Sequence, residues 1–155
     1  MADMPREGQP APEFTAVDGD GQPVSLADYR GQWVVLYFYP KDNTPGCTRE
    51  ACSLRDSSAA LIDVNAVVLG VSTDSQASHQ RFRAKFGLPF RLIADTDKAV
   101  ATLYGTYGEK TLAGKIGLGM KRTTFVIDPA GIIRKVFTKV DVDRHGDEVL
   151  AVIRA

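Results

Sequence analysis

The stretch from Trp33 to Asp56 constrains the fold of this 155-residue chain more than any other. Residues 33–39 form a nearly continuous apolar run of β-branched and aromatic side chains, which is typical of a strand covered on both faces. Pro40 ends the run, and turn-forming Asp, Asn, Pro and Gly follow it. A helix is predicted from Thr48 to Leu61, where neither Gly nor Pro occurs. Cys47 is therefore predicted to lie where a buried strand passes into a helix.

The predicted position of Cys47 favours a reactive thiol. Unsatisfied backbone N–H groups and the helix dipole stabilise an anion at the amino terminus of a helix, and a thiolate is such an anion. This position is expected to leave Cys47 partly exposed, as a reactive cysteine requires and a structural one does not. A lone free cysteine, by contrast, is usually a small buried hydrophobe.

The second cysteine, Cys52, makes a reactive role for Cys47 more favoured than a structural one. It follows Cys47 with four residues between, and on an α-helix this spacing separates the two Cα atoms by about 8.5 Å. A disulfide needs Cα atoms closer than roughly 7 Å, so the two cysteines can join only if the first turns of the helix unwind. The pair is predicted to form a conditional bridge, after a reaction at Cys47, rather than a permanent one.

The residues around Cys47 resemble the peroxidatic motif of the peroxiredoxins. The pattern is Pro40-x3-Thr44-x2-Cys47, and the segment TPGCTREACSLRD resembles the bacterioferritin comigratory protein or peroxiredoxin Q branch. The resemblance covers nearly the whole chain, through APEFTAVDGDGQPVSLADYRGQWVVLYFYP, GVSTDS, RTTFVIDPAG and HGDEVLAVI. It departs at Leu54, where an aromatic residue is more usual, and at residues 1–8, which have no counterpart.

The apolar pattern predicts an α/β fold in a single domain, residues 1–155, with residues 1–8 flexible. An N-terminal β-hairpin is predicted around the turn at residues 18–21, and a second hairpin around residues 128–131. The other predicted elements are strands at 66–72, 90–94, 123–127 and 132–138, helices at 75–86, 97–104 and 144–153, and a mobile loop at 107–120. The resemblance implies a thioredoxin-like fold, with a central mixed β-sheet flanked by helices.

Composition restricts the functional class. Nineteen basic and nineteen acidic side chains cancel, which argues against a nucleic-acid or membrane-surface role driven by net charge. Two cysteines are too few for a disulfide scaffold, and the chain has neither an apolar leader nor an apolar run long enough to span a membrane. These features predict a cytoplasmic protein whose thiols start reduced. The pattern shows no long exposed apolar edge, which favours a monomer.

The resemblance implies a thiol-dependent peroxidase that needs no cofactor and no metal. The thiolate of Cys47 would attack hydrogen peroxide or an alkyl hydroperoxide, giving a sulfenic acid and water or an alcohol. Cys52 would then displace water and form an intramolecular disulfide. A dithiol such as thioredoxin, or a glutaredoxin-like reductant, would reduce that disulfide by exchange.

Three further residues are candidates for the site. The hydroxyl of Thr44 can donate to the peroxide or hold the thiolate, and it can equally cap the helix. Pro40 fixes the loop, and the resemblance implies that it also shields the pocket. A guanidinium is needed to stabilise the thiolate without giving up a proton. The resemblance selects Arg122, whereas the residues alone leave Arg49 and Arg55 equally open.

The sequence allows more than one role for His79, His145 and Glu50. His79 and His145 could act as bases toward Cys47, but their places near predicted helix starts favour surface or capping roles. The spacing of the cysteines and histidines is a weak zinc signal. Glu50 is predicted to be a surface acid favoured by the helix dipole, with anchoring near the thiol as the alternative.

A second class of function stays open at the level of sequence. The same two cysteines could serve thiol-disulfide exchange or switch a binding module such as a holdase. General exchange proteins use Cys-x2-Cys, which this chain lacks.

Overall fold

A five-stranded mixed β-sheet forms the centre of the chain in the computed structural model, which describes residues 3–155. The nine strands of the described residues are β1 (Thr15–Val17), β2 (Pro23–Ser25), β3 (Trp33–Phe38), β4 (Ala66–Ser72), β5 (Arg91–Ala94), β6 (Tyr107–Leu112), β7 (Lys115–Met120), β8 (Thr123–Ile127) and β9 (Ile133–Phe137). The order across the central sheet is β5-β4-β3-β8-β9. Strands β3, β4 and β5 are parallel, whereas β8 runs antiparallel to both β3 and β9.

Helices cover both faces of this sheet. They are α1 (Pro45–Asp56), α2 (Ser58–Asp63), α3 (Gln76–Phe86), α4 (Ala99–Leu103) and α5 (His145–Arg154), with a short 3₁₀ helix at Leu26–Tyr29. Side chains along β3 point alternately to the two faces of the sheet and pack into a separate hydrophobic core on each face. Leu36 and Phe38 pack with α4 and the β1–β2 hairpin, whereas Tyr37 packs with α1, α2, α3 and α5. This architecture confirms the predicted mixed sheet flanked by helices. No helix within residues 3–155 combines the length and apolarity needed to cross a membrane.

The glycine-rich segment 107–120 was predicted to be a mobile loop, and that prediction is wrong. Strands β6 and β7 form an antiparallel hairpin, in which Tyr107 pairs with Met120. Ala113 and Gly114 both have positive φ, as a tight two-residue hairpin turn requires. The alternation of side chains is hidden in the sequence because three glycines of this segment occupy strand positions.

The predicted helix 48–61 is also wrong in its bounds. Two helices occupy the region, and Ser57 lies between them outside regular helix. Helix α1 begins already at Pro45, because the fixed φ of proline suits the first helical position and its missing N–H would have no helical partner there. Cys47 consequently lies inside the first turn of α1 rather than before it.

The amino-terminal segment runs beside β9. The N–H of Gly8 donates to the carbonyl of Ile133 at 2.8 Å, and the N–H of Val136 donates to the Glu7 carboxylate at 3.2 Å. Residues 1 and 2 of the segment predicted to be flexible lie outside the described residues. Its flexibility and the single-domain organisation stay predictions.

Helix α5 packs directly on α1 through a glycine contact. The N–H of Gly146 donates to Ser53 Oγ at 2.9 Å, and the exposed pair Arg49–Asp143 closes at 3.0 Å nearby. A Cβ on residue 146 would lie 2.6 Å from the carbonyl oxygen of Ser53 and would overlap the hydroxyl of Ser57. The close approach of the two helices therefore requires glycine at this position.

Replacing Gly146 by Ala should destabilise the fold. Overpacking of a close contact costs about 1–3 kcal/mol, and the better helix propensity of Ala offsets about 1 kcal/mol of that cost. Because the added Cβ would meet the backbone carbonyl of Ser53 as well as the hydroxyl of Ser57, the cost should lie in the upper half of that range. We therefore expect a net loss of about 1–2 kcal/mol in the free energy of unfolding by urea, under reducing conditions. The exposed neighbour Asp147→Ala is the control and should change stability by less than about 0.5 kcal/mol. Unchanged stability in Gly146→Ala would mean that α5 moves off α1 at little cost.

Candidate active site

Cys47 lies buried in the first turn of α1, directly beyond the carboxyl end of β3. The residue is only 1% exposed and packs in the core that contains Tyr37, Tyr39 and Ala51, so the expectation of a partly exposed thiol is wrong. Both cysteines are free thiols, and Cys52 is half-buried. Because both cysteines lie on α1, helical geometry keeps their Cα atoms about 8.5 Å apart. A bond between them requires the helix to unwind locally.

Arg122 reaches this thiol from the residue that precedes β8. Its Nη2 donates to Cys47 Sγ at 3.3 Å, and its Nη1 donates to Glu50 Oε1 at 2.5 Å. Burial lowers the pKa of Arg122, but the negative charges of Glu50 and Cys47 outweigh that effect and raise it above the usual value. Of the three arginines that the sequence left open, the structure brings Arg122 to the thiol. Arg49 pairs with Asp143 at the surface, and Arg55 pairs with Asp56.

The prediction that Glu50 is a surface acid is wrong. Its side chain is fully buried, and it forms an ion pair with Arg122. Burial raises the pKa of Glu50 to about 7, although the positive charge of Arg122 opposes the rise. The spacing offered a signal, because residues three apart lie on the same helix face and Glu50 follows Cys47 by three. An acid on the face of the buried thiol has to be buried with it.

The loop before α1 carries the other two candidates. Thr44 has the extended backbone of an N-cap residue, but its side chain makes no capping bond. Its Oγ1 donates instead to the carbonyl of Lys41 at 2.9 Å. Pro40, two residues after the end of β3, is half-buried and lines a groove between this loop and the β6–β7 hairpin. The structure thus brings Thr44 and Pro40 to the segment that leads into Cys47.

His79 is fully buried, so the prediction of a surface role is wrong for it. Its Nδ1 lies 2.7 Å from Asp42 Oδ2, and its Nε2 lies 2.9 Å from the carbonyl of Ile93. Asp42 also accepts from the hydroxyls of Tyr39 and Ser78, at 2.6 and 2.8 Å. The network ties the loop before α1 to α3 and β5. The signal for burial was the spacing of His79 from Phe82, one turn along α3.

His145 is the first residue of α5, one residue after the predicted start of that helix at Arg144. It is fully buried, so the prediction of a surface role is wrong for it too. Its Nδ1 lies 2.8 Å from Glu148 Oε1, and its Nε2 lies 2.8 Å from Thr124 Oγ1. Burial lowers the pKa of His145, although the hydrogen bond and the charge of Glu148 oppose the shift. Neither histidine is shown in contact with Cys47. The signal for burial was the spacing of four between His145 and the core residue Val149.

One cluster within the described residues has ligand types that a metal could use. Oxygen and nitrogen atoms of Asp42, Asp74 and His79 lie within 4.8 Å of one another. These atoms are engaged by hydrogen bonds inside the protein, including one from Ser72 Oγ to Asp74 Oδ2 at 2.6 Å. The cluster is therefore a structural hydrogen-bond network that supports the loop before α1.

Comparison with known proteins yields a consistent set of relatives. The model of the AhpC/TSA family matches residues 7–136. The Bacillus subtilis protein named peroxiredoxin Bcp is 43% identical over 147 residues, which cover 95% of this chain and 94% of that protein. The crystal structure of a mutant of Xylella fastidiosa PrxQ superposes with a TM-score of 0.91 at 35% identity, covering 99% of this chain and 98% of that one.

A further solved structure comes from work on alkyl peroxide reduction. It is the Xanthomonas campestris bacterioferritin comigratory protein, in a study of trapped intermediate and ligand complexes. It superposes with a TM-score of 0.85 at 38% identity, and the match covers 91% of this chain and 90% of that one.

The raised pKa of Glu50 predicts a pH-dependent contribution to stability. An acid whose pKa is higher in the folded state contributes stability that is complete below its unfolded pKa of 4.5 and is lost as the pH rises through about 7. The shift corresponds to roughly 3 kcal/mol. The free energy of unfolding of the wild type, relative to Glu50→Gln, should therefore fall by up to about 3 kcal/mol between about pH 4.5 and pH 8.

Urea titrations of both reduced proteins across this pH range measure the difference. Gln keeps the shape of the side chain and cannot ionise, so changes at other titrating groups largely cancel. A difference that stays constant with pH would contradict the raised pKa.

Proposed function

The chain belongs to the AhpC/TSA family and, within it, to the Bcp peroxiredoxins, and we propose a role for each candidate residue in peroxide reduction. Family membership confirms the resemblance that the sequence suggested, together with the thioredoxin-like fold. The protein is a thiol-dependent peroxidase, an oxidoreductase. The roles of individual residues are our proposal.

Cys47 is the residue that reacts with the peroxide. Its thiolate attacks one peroxide oxygen, the O–O bond breaks, and the leaving oxygen takes up a proton to become water or an alcohol. Cys47 is left as a sulfenic acid. The observation that carries this assignment is the contact between Arg122 Nη2 and Cys47 Sγ at 3.3 Å, because a guanidinium stabilises the thiolate without protonating it.

Thr44 and Pro40 prepare the approach to that sulfur. The Thr44 hydroxyl, which donates to the carbonyl of Lys41 in the structure, can rotate to donate to a bound peroxide. Pro40 has no N–H to compete for the peroxide oxygens, and it borders the groove between its loop and the β6–β7 hairpin. Both assignments are supported by the place of these residues in the loop before α1.

Cys52 resolves the sulfenic acid. The first turns of α1 unwind, the Cys52 sulfur attacks the Cys47 sulfur, and hydroxide leaves and takes up a proton to form water. The support is geometric, since the two cysteines share one helix and no large movement of other elements is required. A dithiol then reduces the disulfide, and thioredoxin or a glutaredoxin-like protein has the required chemistry.

Location and assembly follow from the same scheme. A peroxidase that is reset by a dithiol works where thiols are kept reduced, which supports the cytoplasm. The proposed disulfide joins two cysteines of the same chain, so the cycle needs no second subunit, which supports a monomer. Hydrogen peroxide and alkyl hydroperoxides are the proposed substrates.

Substitution of the two cysteines tests the division of roles. Cys47→Ser should abolish peroxide consumption, because Ser supplies no nucleophile of comparable strength. Cys52→Ser should consume about one equivalent of peroxide per chain and then stop, because the sulfenic acid forms but no disulfide follows. Peroxide consumption with thioredoxin, thioredoxin reductase and NADPH measures turnover, and mass spectrometry of the intact chain identifies the oxidised species.

A Cys47→Ser protein that still turned over would contradict the scheme. Thiol titration of the wild type with stoichiometric peroxide distinguishes it from an exchange or binding module. Loss of both thiols within seconds is expected of the peroxidase, whereas an exchange or binding module would keep them.

A further inference from the structure

Arg122, which contacts Cys47, also contacts the buried acid Glu50, and one carboxyl oxygen of Glu50 lacks a hydrogen-bond partner within the described residues. Glu50 Oε1 accepts from Arg122, but Oε2 has no hydrogen-bond partner within residues 3–155. The group that faces it is Nε2 of His145, at 3.8 Å. Both side chains are fully buried, and a buried carboxylate oxygen without a partner carries a large desolvation cost.

The neighbours of His145 determine which ring nitrogen carries its proton. An ionised carboxylate can only accept, so Nδ1 must donate to Glu148 Oε1 at 2.8 Å. In a neutral imidazole, Nε2 then has a lone pair, which accepts from the Thr124 hydroxyl at 2.8 Å. The atom that faces Glu50 Oε2 is therefore an acceptor.

Because an acceptor atom faces the Glu50 carboxyl group, a form in which one of the two groups carries an extra proton is favoured. If Glu50 is ionised, two electron-rich atoms face each other in a buried site. If Glu50 Oε2 carries a hydrogen, that repulsion is removed, although at 3.8 Å no hydrogen bond joins the two atoms and the Nε2 lone pair stays bonded to Thr124. Transfer to the ring would give a carboxylate beside an imidazolium instead. In either form the pair of Glu50 and His145 holds one proton and has no net charge.

The charge of this pair matters for Cys47 because Arg122 contacts both groups. One arm of its guanidinium bonds Glu50 and the other bonds the sulfur. If the pair lost its proton, a net negative charge would sit on the first arm and would partly cancel the field of Arg122 at the sulfur. A neutral pair leaves that field directed at Cys47.

We propose that His145 is a further positioning residue for peroxide reduction, which keeps a proton on the Glu50–His145 pair and thereby leaves the charge of Arg122 available to the Cys47 thiolate. The proposal rests on the role of Cys47 as the peroxidatic residue. His145 acts through Glu50 and Arg122 and does not touch the reacting atoms.

The remaining titratable groups around the pair shift its pKa values in both directions, and Arg122 lowers those of both Glu50 and His145. On β3, the buried Tyr37 faces Glu50 and Cys47, and burial raises its pKa well above the usual value, so it stays neutral. On α5, the negative charge of Glu148 raises the pKa of Glu50. Asp141, in the segment before α5, raises the pKa of His145, and Arg122 lowers it. Burial raises the pKa of Glu50 and lowers that of His145, so both groups favour the neutral form.

The test measures the acidity of Cys47 directly and does not depend on turnover. In a Cys52→Ser background, Cys47 is the one thiol, and its ultraviolet thiolate absorbance gives the pH midpoint of its ionisation. His145→Gln replaces the ring acceptor with an amide that can donate to Glu50 and stabilise its carboxylate. We expect this midpoint to rise by about one pH unit. The rate constant for peroxide at about pH 6 should fall roughly tenfold.

A double-mutant cycle separates this role from general packing. With Gln at position 50 no carboxylate can form, so His145→Gln in that background should shift the midpoint by less than about a third of a unit. The control Asp147→Asn removes an exposed charge from the same helical turn and should not shift it. An unchanged midpoint in His145→Gln, or an equal shift in the Glu50→Gln background, would overturn the proposal.

The wild-type protein provides a test that no folding defect can obscure. Imidazole ¹⁵N spectra show which ring nitrogen of His145 carries the proton. We expect a proton on Nδ1 at neutral pH, with Nε2 either unprotonated or protonated by transfer from Glu50. A neutral ring protonated at Nε2 alone would overturn the proposal, whereas inactivity of the enzyme with an Nδ1-protonated ring would count against the role of Cys47.

Discussion

The two-armed contact of Arg122 is the interaction on which the rest of the site depends. Its guanidinium bonds Cys47 on one side and Glu50 on the other, and both lie one turn apart on α1. A carboxyl group that is fully buried and a guanidinium that is half-buried are each costly without a partner, so their contact fixes where α1 lies over the start of β8. The placement of the thiol follows from the same contact.

Helix α1, which carries the proposed reactive thiol, is held at both ends of the segment that the proposed chemistry needs to open. Arg122 bonds Cys47 in the first turn of α1, and Gly146 of α5 bonds Ser53 in the third turn. Turnover by the proposed route requires the segment between Cys47 and Cys52 to unwind while the strands beneath it stay in place. Local openings of this kind cost less than global unfolding where the segment is short and near the surface. Contacts that arrange the thiol for attack therefore oppose the step that resolves it.

Much of the fold could be predicted because its strands carry their own signal. The runs ending at Phe38 and Ser72 are apolar on both faces. The turn residues Asp-Gly-Asp-Gly at 18–21 and Asp-Pro-Ala-Gly at 128–131 predict the two hairpins that the structure forms. The errors lie where local patterns are ambiguous. Pro45 suits both a turn and the first position of a helix, and the glycines of β6 and β7 conceal the alternation of a hairpin.

The sequence by itself determined that a thiol stands at a strand-to-helix junction, with a second thiol too far along the same helix to reach it without unwinding. Both statements depend only on near neighbours in the chain. Tertiary structure decided which arginine meets the thiol, and that Glu50, His79 and His145 are buried rather than exposed. Whether a polar side chain can be buried depends on a partner that satisfies it. The partner of Glu50 is 72 residues away and that of His79 is 37 residues away, so only the folded chain brings them together.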